Sequence, residues 1–272
     1  MRVKQKYYKS GNGLYLPYDD LNILREGRNH NFGYRTLGFG SYSRFIGDGV
    51  SYRLDGVGDH LTMPDSNDWD WANDFSIDCW IYPDSNAATD DALWSHAASG
   101  DDRFHCIFKS NVSTNWNIGI RATTGASGHF ELNTTGEPIA EEVWSHVEVT
   151  RTGTTIKMFV NGVEEISDSI TGTIGNIAAL FEVGEGSNSG ALPLSGYIDE
   201  FRISDTARHT SGFTPEIKQY KSDGNTLALI HCGEAIVSGT TGSGATFVES
   251  SSNGRTVTEV AGAIRETTII KF

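Results

Sequence analysis

The stretch from Trp144 to Glu165 constrains the fold most, because its apolar and polar side chains alternate with a strict period of two. Such alternation predicts β-strands with one buried face. Two strands are joined by Thr152-Gly153-Thr154, and Asn161-Gly162 predicts a tight hairpin turn into a third, since both turn positions need a positive φ. The predicted outward-facing set comprises His146, Glu148, Lys157 and Phe159.

Similar short apolar runs recur from Ser41 onwards, each bounded by Gly, Ser, Asn or Asp. Strands at this spacing, with turn residues between them and no helical period of useful length, predict an all-β sandwich or barrel. The predicted strands lie near Val50–Leu54, His60–Met63, Phe75–Pro83, Ala92–His96, Arg103–Lys109, Trp116–Arg121, His129–Asn133, Leu180–Val183 and Gly196–Ser204.

The charge of the chain is unevenly distributed. The net charge is −14, but residues 1–35 hold seven Lys and Arg against three acidic side chains, which gives +4 there and −18 elsewhere. An acidic body disfavours nucleic acid. The basic residues 1–40 could grip nucleic acid, but as an isolated arm they are interpreted as docking on an acidic partner protein. No apolar run approaches the ~18 residues of a membrane span, and the N-terminus lacks the apolar segment of a secretory signal.

The three cysteines indicate a reduced protein. Cys79, Cys106 and Cys232 each lie within a strand-like alternation, where cysteine usually behaves as a small buried apolar residue. Their odd number and their spacing match neither a disulfide framework nor a zinc site.

Four motifs carry a family resemblance. They are D-G-V-G-D-H-L-T-M-P-D-S, D-F-S-I-D-C-W-I-Y-P, W-S-H-V-E-V-T-R…I-K-M-F-V-N-G-V and G-Y-I-D-E-F-R-I-S, followed by A-R-H-T-S-G-F-T-P. In this order they resemble the laminin G-like/concanavalin A-like lectin superfamily, particularly its modules in structural proteins of tailed bacteriophages. The resemblance implies an antiparallel β-sandwich of jelly-roll type over residues 41–216.

The opening strands of such a module are displaced to the end of this chain. Residues 223–234 and 247–258 resemble segments that come first in the family. Residues 217–272 are therefore expected to complete the sandwich, either in the same subunit as a circular permutation or in a neighbouring subunit as a strand swap. The swap would build a homo-oligomer, and a half-repeat with its own packing is the third alternative.

The sequence does not favour catalysis. Relatives that hydrolyse β-glucans need paired carboxylates at a fixed separation, whereas Asp199 and Glu200 are adjacent and are predicted to point to opposite faces of a strand. No nucleophile elbow is present, and the histidines are scattered. We expect a protein that is not an enzyme.

Calcium is the one cofactor that the resemblance implies, as a structural ion held by Asp199, Glu234 and Asn253. Oxygen ligands on loops suit this ion. However, Gly233 occupies a position that is acidic in the family. The alternative is that Asp199 only hydrogen-bonds a neighbouring loop.

Lectin-like folds generally bind sugars. Aromatic rings stack on the sugar, while carboxylates and amides bind its hydroxyls. Trp69 and Trp71 are the most loop-like aromatic candidates, and the alternative is that they fill the core. The outward set of the hairpin (His146, Glu148, Lys157, Phe159) is a second candidate surface.

We therefore expect a virion structural protein with a lectin-like module. It would attach a tail or fibre to a surface polysaccharide or decorate a capsid, with the arm bound to other virion proteins. It would be made in the host cytoplasm and reside in the extracellular particle, with no nucleic acid or membrane partner. The alternatives are a free carbohydrate-binding or carbohydrate-processing protein and an assembly cement that binds no glycan.

Overall fold

The computed structural model describes residues 51–261, with gaps at 86, 88–89, 100–101, 113, 125–128, 171–173, 187–190, 232–235, 239–245 and 248, and strand segments at 8–10, 13–17, 34–36 and 264–266. The chain divides into two compact units, Met1–Arg44 and Phe45–Phe272. Within the described ranges, no helix has the length and hydrophobicity that a membrane span requires.

All regular elements of the described residues are β-strands. In chain order they are β1 (Tyr8–Ser10), β2 (Gly13–Pro17), β3 (Tyr34–Thr36), β4 (Ser51–Asp55), β5 (His60–Met63), β6 (Phe75–Pro83), β7 (Ala92–Ser99), β8 (Asp102–Val112), β9 (Asn115–Thr124), β10 (His129–Asn133), β11 (Ile139–Ala140), β12 (Ser145–Thr152), β13 (Thr155–Val160), β14 (Val163–Ser169), β15 (Phe181–Val183), β16 (Ser195–Ser204), β17 (Thr226–Ile230), β18 (Ile236–Ser238), β19 (Thr246–Phe247), β20 (Val257–Val260) and β21 (Ile264–Glu266).

The first unit contains a small antiparallel sheet in the order β1-β2-β3. The second unit contains two large sheets. The ten-stranded sheet has the order β10-β9-β8-β7-β15-β5-β20-β19-β18, with β11 paired to β9. The eight-stranded sheet has the order β14-β13-β12-β6-β16-β4-β21, with β17 paired to β16.

The two large sheets form a sandwich around one apolar core, which confirms the predicted fold class. Alternate residues of β6 and β8 contribute to this core, among them Ile77, Cys79, Phe104 and Cys106. Both cysteines are free thiols, and burial raises the pKa of each. Cys232 lies outside the described residues.

The hairpin predicted from the sequence is present. β12 pairs with β13 and β13 with β14, and Asn161 and Gly162 have φ values of 51° and 78° between the latter two. The expectation that the outward set forms an exposed surface is wrong for β12, however, because this strand is buried on both faces. His146 and Glu148 of the outward set are only 1% and 0% exposed.

The C-terminal strands lie in both sheets of the same chain. β17 and β4 share one edge of β16, with β4 along its first half and β17 along its second half. β20 pairs with β5 in the other sheet, and β21 pairs with β4. Residues after 222 therefore supply strands to the two layers that residues 51–204 build.

Candidate ligand-binding sites

Residues 205–222, here called the covering segment, lie over the outer face of the eight-stranded sheet. The amide of His209 donates to Glu148 Oε1 at 3.2 Å, and Lys157 Nζ donates to the carbonyl of Thr210 at 2.9 Å. The ring of Phe213 packs edge-on against Phe159, with the ring centroids 5.5 Å apart. The predicted outward set is therefore largely covered by the chain itself.

The tight turn at Gly162 brings the covering segment close to the hairpin. The amide of Phe213 donates to the carbonyl of Gly162 at 3.0 Å. A Cβ at position 162 would lie 1.9 Å from the carbonyl oxygen of Phe213. Glycine is therefore required here both for its positive φ and for its lack of a side chain.

A buried ion pair forms the floor beneath the covering segment. Arg202 on β16 donates to both carboxylate oxygens of Asp78 on β6, from Nε at 3.0 Å and Nη2 at 2.8 Å. Burial alone would raise the pKa of Asp78, but the charge of Arg202 and hydrogen bonds from Arg202 and His146 lower it to about 2. The guanidinium also stacks on Tyr220, with Cζ 4.1 Å from the ring centroid.

A second pair links β12 to the covering segment. Nδ1 of His209 lies 2.7 Å from Glu148 Oε2 and can donate to it, while the imidazole stacks on Phe213 with 3.6 Å between centroids. Glu148 is fully buried. The backbone and side chain of His209 together occupy both of its carboxylate oxygens.

A cleft of about 370 Å³, here called the sheet-face cleft, separates part of the covering segment from the sheet. His146 lies at its floor with Nε2 3.5 Å from Asp78 Oδ2, and its buried Nδ1 has no hydrogen-bond partner among the described residues. The lining residues are Asp78, His146, Arg202, Thr206, Ala207, Arg208, His209, Phe213, Thr214, Glu216 and Tyr220.

Asp78, His146 and Glu148 place potential ligand atoms within 4.8 Å of one another, a separation that one metal ion could bridge. The present contacts do not favour such an ion. Arg202 already uses both oxygens of Asp78, and His209 uses both oxygens of Glu148. An ion would have to displace a guanidinium from its carboxylate, so the arrangement fits a salt-bridge network better.

The predicted aromatic contacts at Trp69 and Trp71 need correction, because both rings lie in the core and are 0% and 1% exposed. Nε1 of Trp71 donates to His96 Nδ1 at 2.9 Å, and Nε1 of Trp69 donates to the carbonyl of Pro64 at 3.3 Å. The guanidinium of Arg255 lies over the Trp69 ring at 4.2 Å. Neither ring presents a free face on which a sugar could stack.

The polar neighbours of these tryptophans do line a cleft of about 350 Å³ at one end of the sandwich, where β6 and β17 begin and β16 ends. Its lining residues are Asn67, Asp68, Asp70, Trp71, Asn73, Asp74, Phe75, Asp205 and Leu227. This rim cleft brings together carboxylates and amides that lie close to the two tryptophans in sequence, and adds Asp205 and Leu227 from distant elements.

Local hydrogen bonds hold the rim cleft in shape. Asp70 accepts from the amide of Ala72 at 3.1 Å and from Asn73 Nδ2 at 3.2 Å. Asp74 accepts from the amide of Gly153, at the turn between β12 and β13. These contacts fix the directions of the Asp70 and Asp74 carboxylates.

The three residues implied for calcium are only partly described. Asp199 is buried and accepts from the amide of Glu200 at 2.8 Å. Asn253 Nδ2 donates to the carbonyl of Leu227 at 3.0 Å, and Glu234 lies outside the described residues. The calcium site remains a prediction.

Sequence reasoning missed several residues of the sheet-face cleft, notably Asp78, Arg202 and Tyr220. Asp78 and Arg202 lie in motifs that carried the family resemblance, but nothing in those motifs pairs them. The signal that could have found them is the A-R-H-T-S-G-F-T-P segment, whose small and aromatic residues suit close packing on a sheet.

Two antiparallel sheets in a sandwich, with one cleft at an end and another on a face, define an all-β sandwich protein. A laminin G model of the concanavalin A-like lectin/glucanases superfamily matches residues 55–211, which is more than half of the 272 residues. The chain belongs to this superfamily. The bacteriophage part of the resemblance remains a prediction, and no curated protein matches the chain by sequence.

Several solved structures are similar to this chain. A protein from Bacteroides ovatus, provisionally described as carbohydrate binding, is 12% identical, with 86% of this chain and 66% of that chain covered and a TM-score of 0.58. A heptameric SAP-like pentraxin from Limulus polyphemus is 19% identical, with 59% and 78% covered and a TM-score of 0.47. The enzymatically active domain of tailspike protein 2 from bacteriophage CBA120 is 12% identical, with 68% and 30% covered and a TM-score of 0.46. At these identities the likeness concerns the fold alone.

Proposed function

We propose that the protein is a non-catalytic carbohydrate-binding module whose ligand lies in the rim cleft. The observation that carries this proposal is the set of carboxylates and amides that converge on one open cleft of a lectin-like sandwich. Such groups accept and donate hydrogen bonds to sugar hydroxyls, and a cleft of this size suits a small saccharide.

Three side chains of the rim cleft are proposed to contact the sugar. Asp205 is exposed, and its carboxylate makes no hydrogen bond or ion pair among the described residues. Asp70 and Asn73 already hold each other, so their remaining lone pairs and protons point in fixed directions. Pre-ordered polar groups lower the entropic cost of binding a flexible ligand.

The absence of catalysis is part of the proposal. Asp199 and Glu200 are the adjacent acids of the strand in which a catalytic pair would be sought. Glu200 is buried, and it accepts hydrogen bonds from the amide of Tyr220 at 2.7 Å and from His231 Nδ1 at 2.9 Å. A carboxylate held by two internal donors supports the covering segment, whereas a glycosidase needs its acid and its base free to face one glycosidic bond.

A glycan array with the purified full chain, followed by calorimetry on the strongest ligand, tests this proposal. Asp205→Asn and Asn73→Ala should each weaken binding roughly three- to tenfold, as expected for one hydrogen bond. Asp168→Asn, which changes an exposed carboxylate of β14, is the charge-matched control and should leave affinity unchanged. Release of sugar from a bound glycan, or binding unaffected by both rim variants, would contradict the proposal.

We propose further that this module belongs to a virus particle and that the basic N-terminal segment anchors it there. The support is the A-R-H-T-S-G-F-T-P segment, together with a charge of +4 on residues 1–35 beside an otherwise acidic chain. Opposite charges favour docking of such a segment on an acidic partner protein.

Particle incorporation tests the anchoring role. The full chain and a variant without residues 1–40 would be expressed during infection and compared in purified particles. We expect the full chain in the particle and the shortened variant in the soluble fraction. Incorporation of the shortened variant overturns the anchoring role, and incorporation of a full chain that binds no glycan supports an assembly cement instead.

A further inference from the structure

We propose that the sheet-face cleft is a second binding site, which takes a primary ammonium group carried on a monosaccharide-sized ring, as in an amino sugar. The described residues that line it all differ from those of the rim cleft. This second site therefore does not depend on the function proposed for the rim cleft.

The two imidazoles of the cleft offer hydrogen-bond acceptors. In His209, Nδ1 lies 2.7 Å from Glu148 Oε2, so the proton of the neutral ring belongs on Nδ1 and donates to this carboxylate. Nε2 of His209 then carries a lone pair. In His146, Nε2 lies 3.5 Å from Asp78 Oδ2, so the same assignment leaves the lone pair on Nδ1.

The acceptor on His146 is buried and lacks a donor. This side chain is 1% exposed and lines the cleft, and no described residue donates to its Nδ1. Buried polar atoms without partners are uncommon and call for an explanation. A donor group that enters from the cleft would supply the missing hydrogen bond, which favours a ligand with several N–H or O–H groups.

The two arginines that line the cleft are each neutralised by a carboxylate. Arg202 donates to both oxygens of Asp78, and Arg208 donates to both oxygens of Asp223 at 3.0 and 2.9 Å. Bidentate pairs of this kind hold both charges in a fixed geometry. Neither guanidinium therefore presents an unbalanced positive charge to a ligand.

Two further carboxylates give the cleft an excess of negative charge. Glu148 is 0% exposed, and its oxygens accept from the amide and the ring of His209. Glu216 is exposed, lines the cleft and forms no ion pair among the described residues. With the ring of His209 neutral, these charges favour a cation. An ammonium group is a compact cation with three donors, and unlike a metal ion it need not displace Arg202 from Asp78.

The remaining donor of the cleft favours a hydroxyl beside the ammonium group. Arg202 uses Nε and Nη2 for Asp78, which leaves Nη1 to donate to a ligand oxygen. An amino sugar carries hydroxyls on the carbons next to its amine, whereas a simple alkylamine has none. The volume of about 370 Å³ lies in the lower part of the range for small-molecule sites and suits one such ring.

The experiment measures binding of D-glucosamine, D-glucose, N-acetyl-D-glucosamine and propylamine to the full chain by ligand-observed NMR and calorimetry at neutral pH. We expect glucosamine to bind at least roughly fivefold more tightly than glucose, because charge-assisted hydrogen bonds are about twice as strong as neutral ones. N-acetylglucosamine has no charge and should bind no more tightly than glucose. Propylamine lacks the hydroxyls and should bind more weakly than glucosamine.

Three outcomes of these measurements overturn the proposal. Equal binding of glucose and glucosamine would show that the cleft does not recognise the charge. Equal binding of propylamine and glucosamine would show that any ammonium group suffices, including that of a lysine side chain, and that the sugar ring is not recognised. The third is an absence of glucosamine binding.

Variants then locate the site. Glu216→Gln should weaken glucosamine binding roughly two- to fivefold, the scale of a screened surface charge, but should leave glucose binding unchanged because the amide oxygen still accepts. His209→Asn keeps a donor for Glu148 but removes the acceptor Nε2, and it should weaken glucosamine binding roughly fivefold. Asp168→Asn, the charge-matched control, should change neither affinity. Thermal unfolding confirms that each variant is folded.

Nitrogen-15 NMR of the histidine rings tests the acceptors themselves. At pH 8, where histidine is ordinarily neutral, we expect the proton of His209 on Nδ1 and that of His146 on Nε2. Glucosamine should shift the resonance of His146 Nδ1. The opposite tautomers would place donors where the ammonium group has to bind, and the proposal would fail without any change in the fold.

The rim variant Asp205→Asn separates this proposal from the previous one. If it abolishes glucosamine binding while Glu216→Gln and His209→Asn do not, the amino sugar binds at the rim and the second site is refuted. If glucosamine binding responds only to the two cleft variants, the second site stands, whatever the glycan array shows for the rim cleft.

Discussion

Arg202 and Asp78 face each other across neighbouring strands β16 and β6, and two hydrogen bonds of 3.0 and 2.8 Å join them. Asp78 is 1% exposed and Arg202 is 8% exposed. The pair is therefore almost free of water on the outer face of a sheet, where solvent would normally separate such charges. Closure of this face by the covering segment creates that environment.

Removal of either Asp78 or Arg202 should lower the free energy of unfolding substantially. Asp78→Asn leaves the Arg202 charge buried without its counter-ion, and such changes typically cost about 3–5 kcal/mol. Urea denaturation of this variant should show a loss of that size, whereas the exposed-site control Asp168→Asn should change stability by less than about 0.5 kcal/mol. A loss below about 1 kcal/mol at position 78 would mean that water reaches the pair.

The same pair predicts a specific response to acid. The pKa of Asp78 is lowered from 3.8 to about 2, so the native state favours the ionised form more than the unfolded state does. The stability that this carboxylate contributes is complete above its unfolded pKa and is lost as pH falls through about 2. Unfolding free energies measured between pH 5 and pH 2 should therefore fall less steeply for Asp78→Asn than for the parent, and equal slopes would contradict the assignment.

Two glycines of the central hairpin form a matched pair for testing the covering segment. Both have positive φ, but a Cβ at Gly153 meets nothing within 4 Å, whereas a Cβ at Gly162 would strike the carbonyl of Phe213. Gly153→Ala should cost only the left-handed backbone penalty of about 1 kcal/mol. Gly162→Ala should cost about 1–3 kcal/mol more, because the covering segment has to move.

Hydrogen exchange locates that movement. In Gly162→Ala the amides of residues 205–222 should exchange faster than in Gly153→Ala, and the amide of Phe213 should respond most because it bonds to Gly162. Equal exchange in the two variants would show that the segment is not held at this turn.

The C-terminal strands should be essential for folding. Leu229 on β17 is fully buried, and β20 lies between β5 and β19 in the other sheet. Removal of residues 223–272 is expected to leave an unfolded or aggregated chain by circular dichroism and sedimentation. A folded monomer after this deletion would refute both the permutation and the strand swap.

A milder change tests the same strands without truncation. Leu229→Ala should cost about 2–5 kcal/mol, the usual range for a buried leucine. Val163→Ala on edge strand β14, where the valine is 59% exposed, should be close to neutral. Similar effects of the two changes would place β17 outside the cooperative core.

The strands were predictable because their signals are local. Alternation along Val147 and Val149 is a property of a few consecutive residues, and the Asn161-Gly162 turn requires only its own φ values. The family motifs likewise located the strands around Phe75–Pro83 and Ser195–Ser204. Each of these features is encoded within about ten residues.

The sites were not predictable in the same way. Alternation shows that Glu148 points away from the core, but it does not show that His209, 61 residues later, lies upon it. Trp69 and Trp71 are surrounded by polar residues in sequence, yet their rings point into the core and one is capped by Arg255. Burial depends on which distant segment packs on a surface, and a period of two contains no information about that.

The sequence by itself therefore determined the all-β sandwich, its central hairpin and its superfamily, since these follow from side-chain period, turn chemistry and motif order. Only the tertiary structure decided which outward side chains meet solvent. In the tertiary structure the covering segment lies over Asp78 and Arg202, and Asp205 and Leu227 line the rim cleft. The physical reason is that strand formation is governed by local backbone preference, whereas a binding cleft forms between surfaces that are distant in sequence.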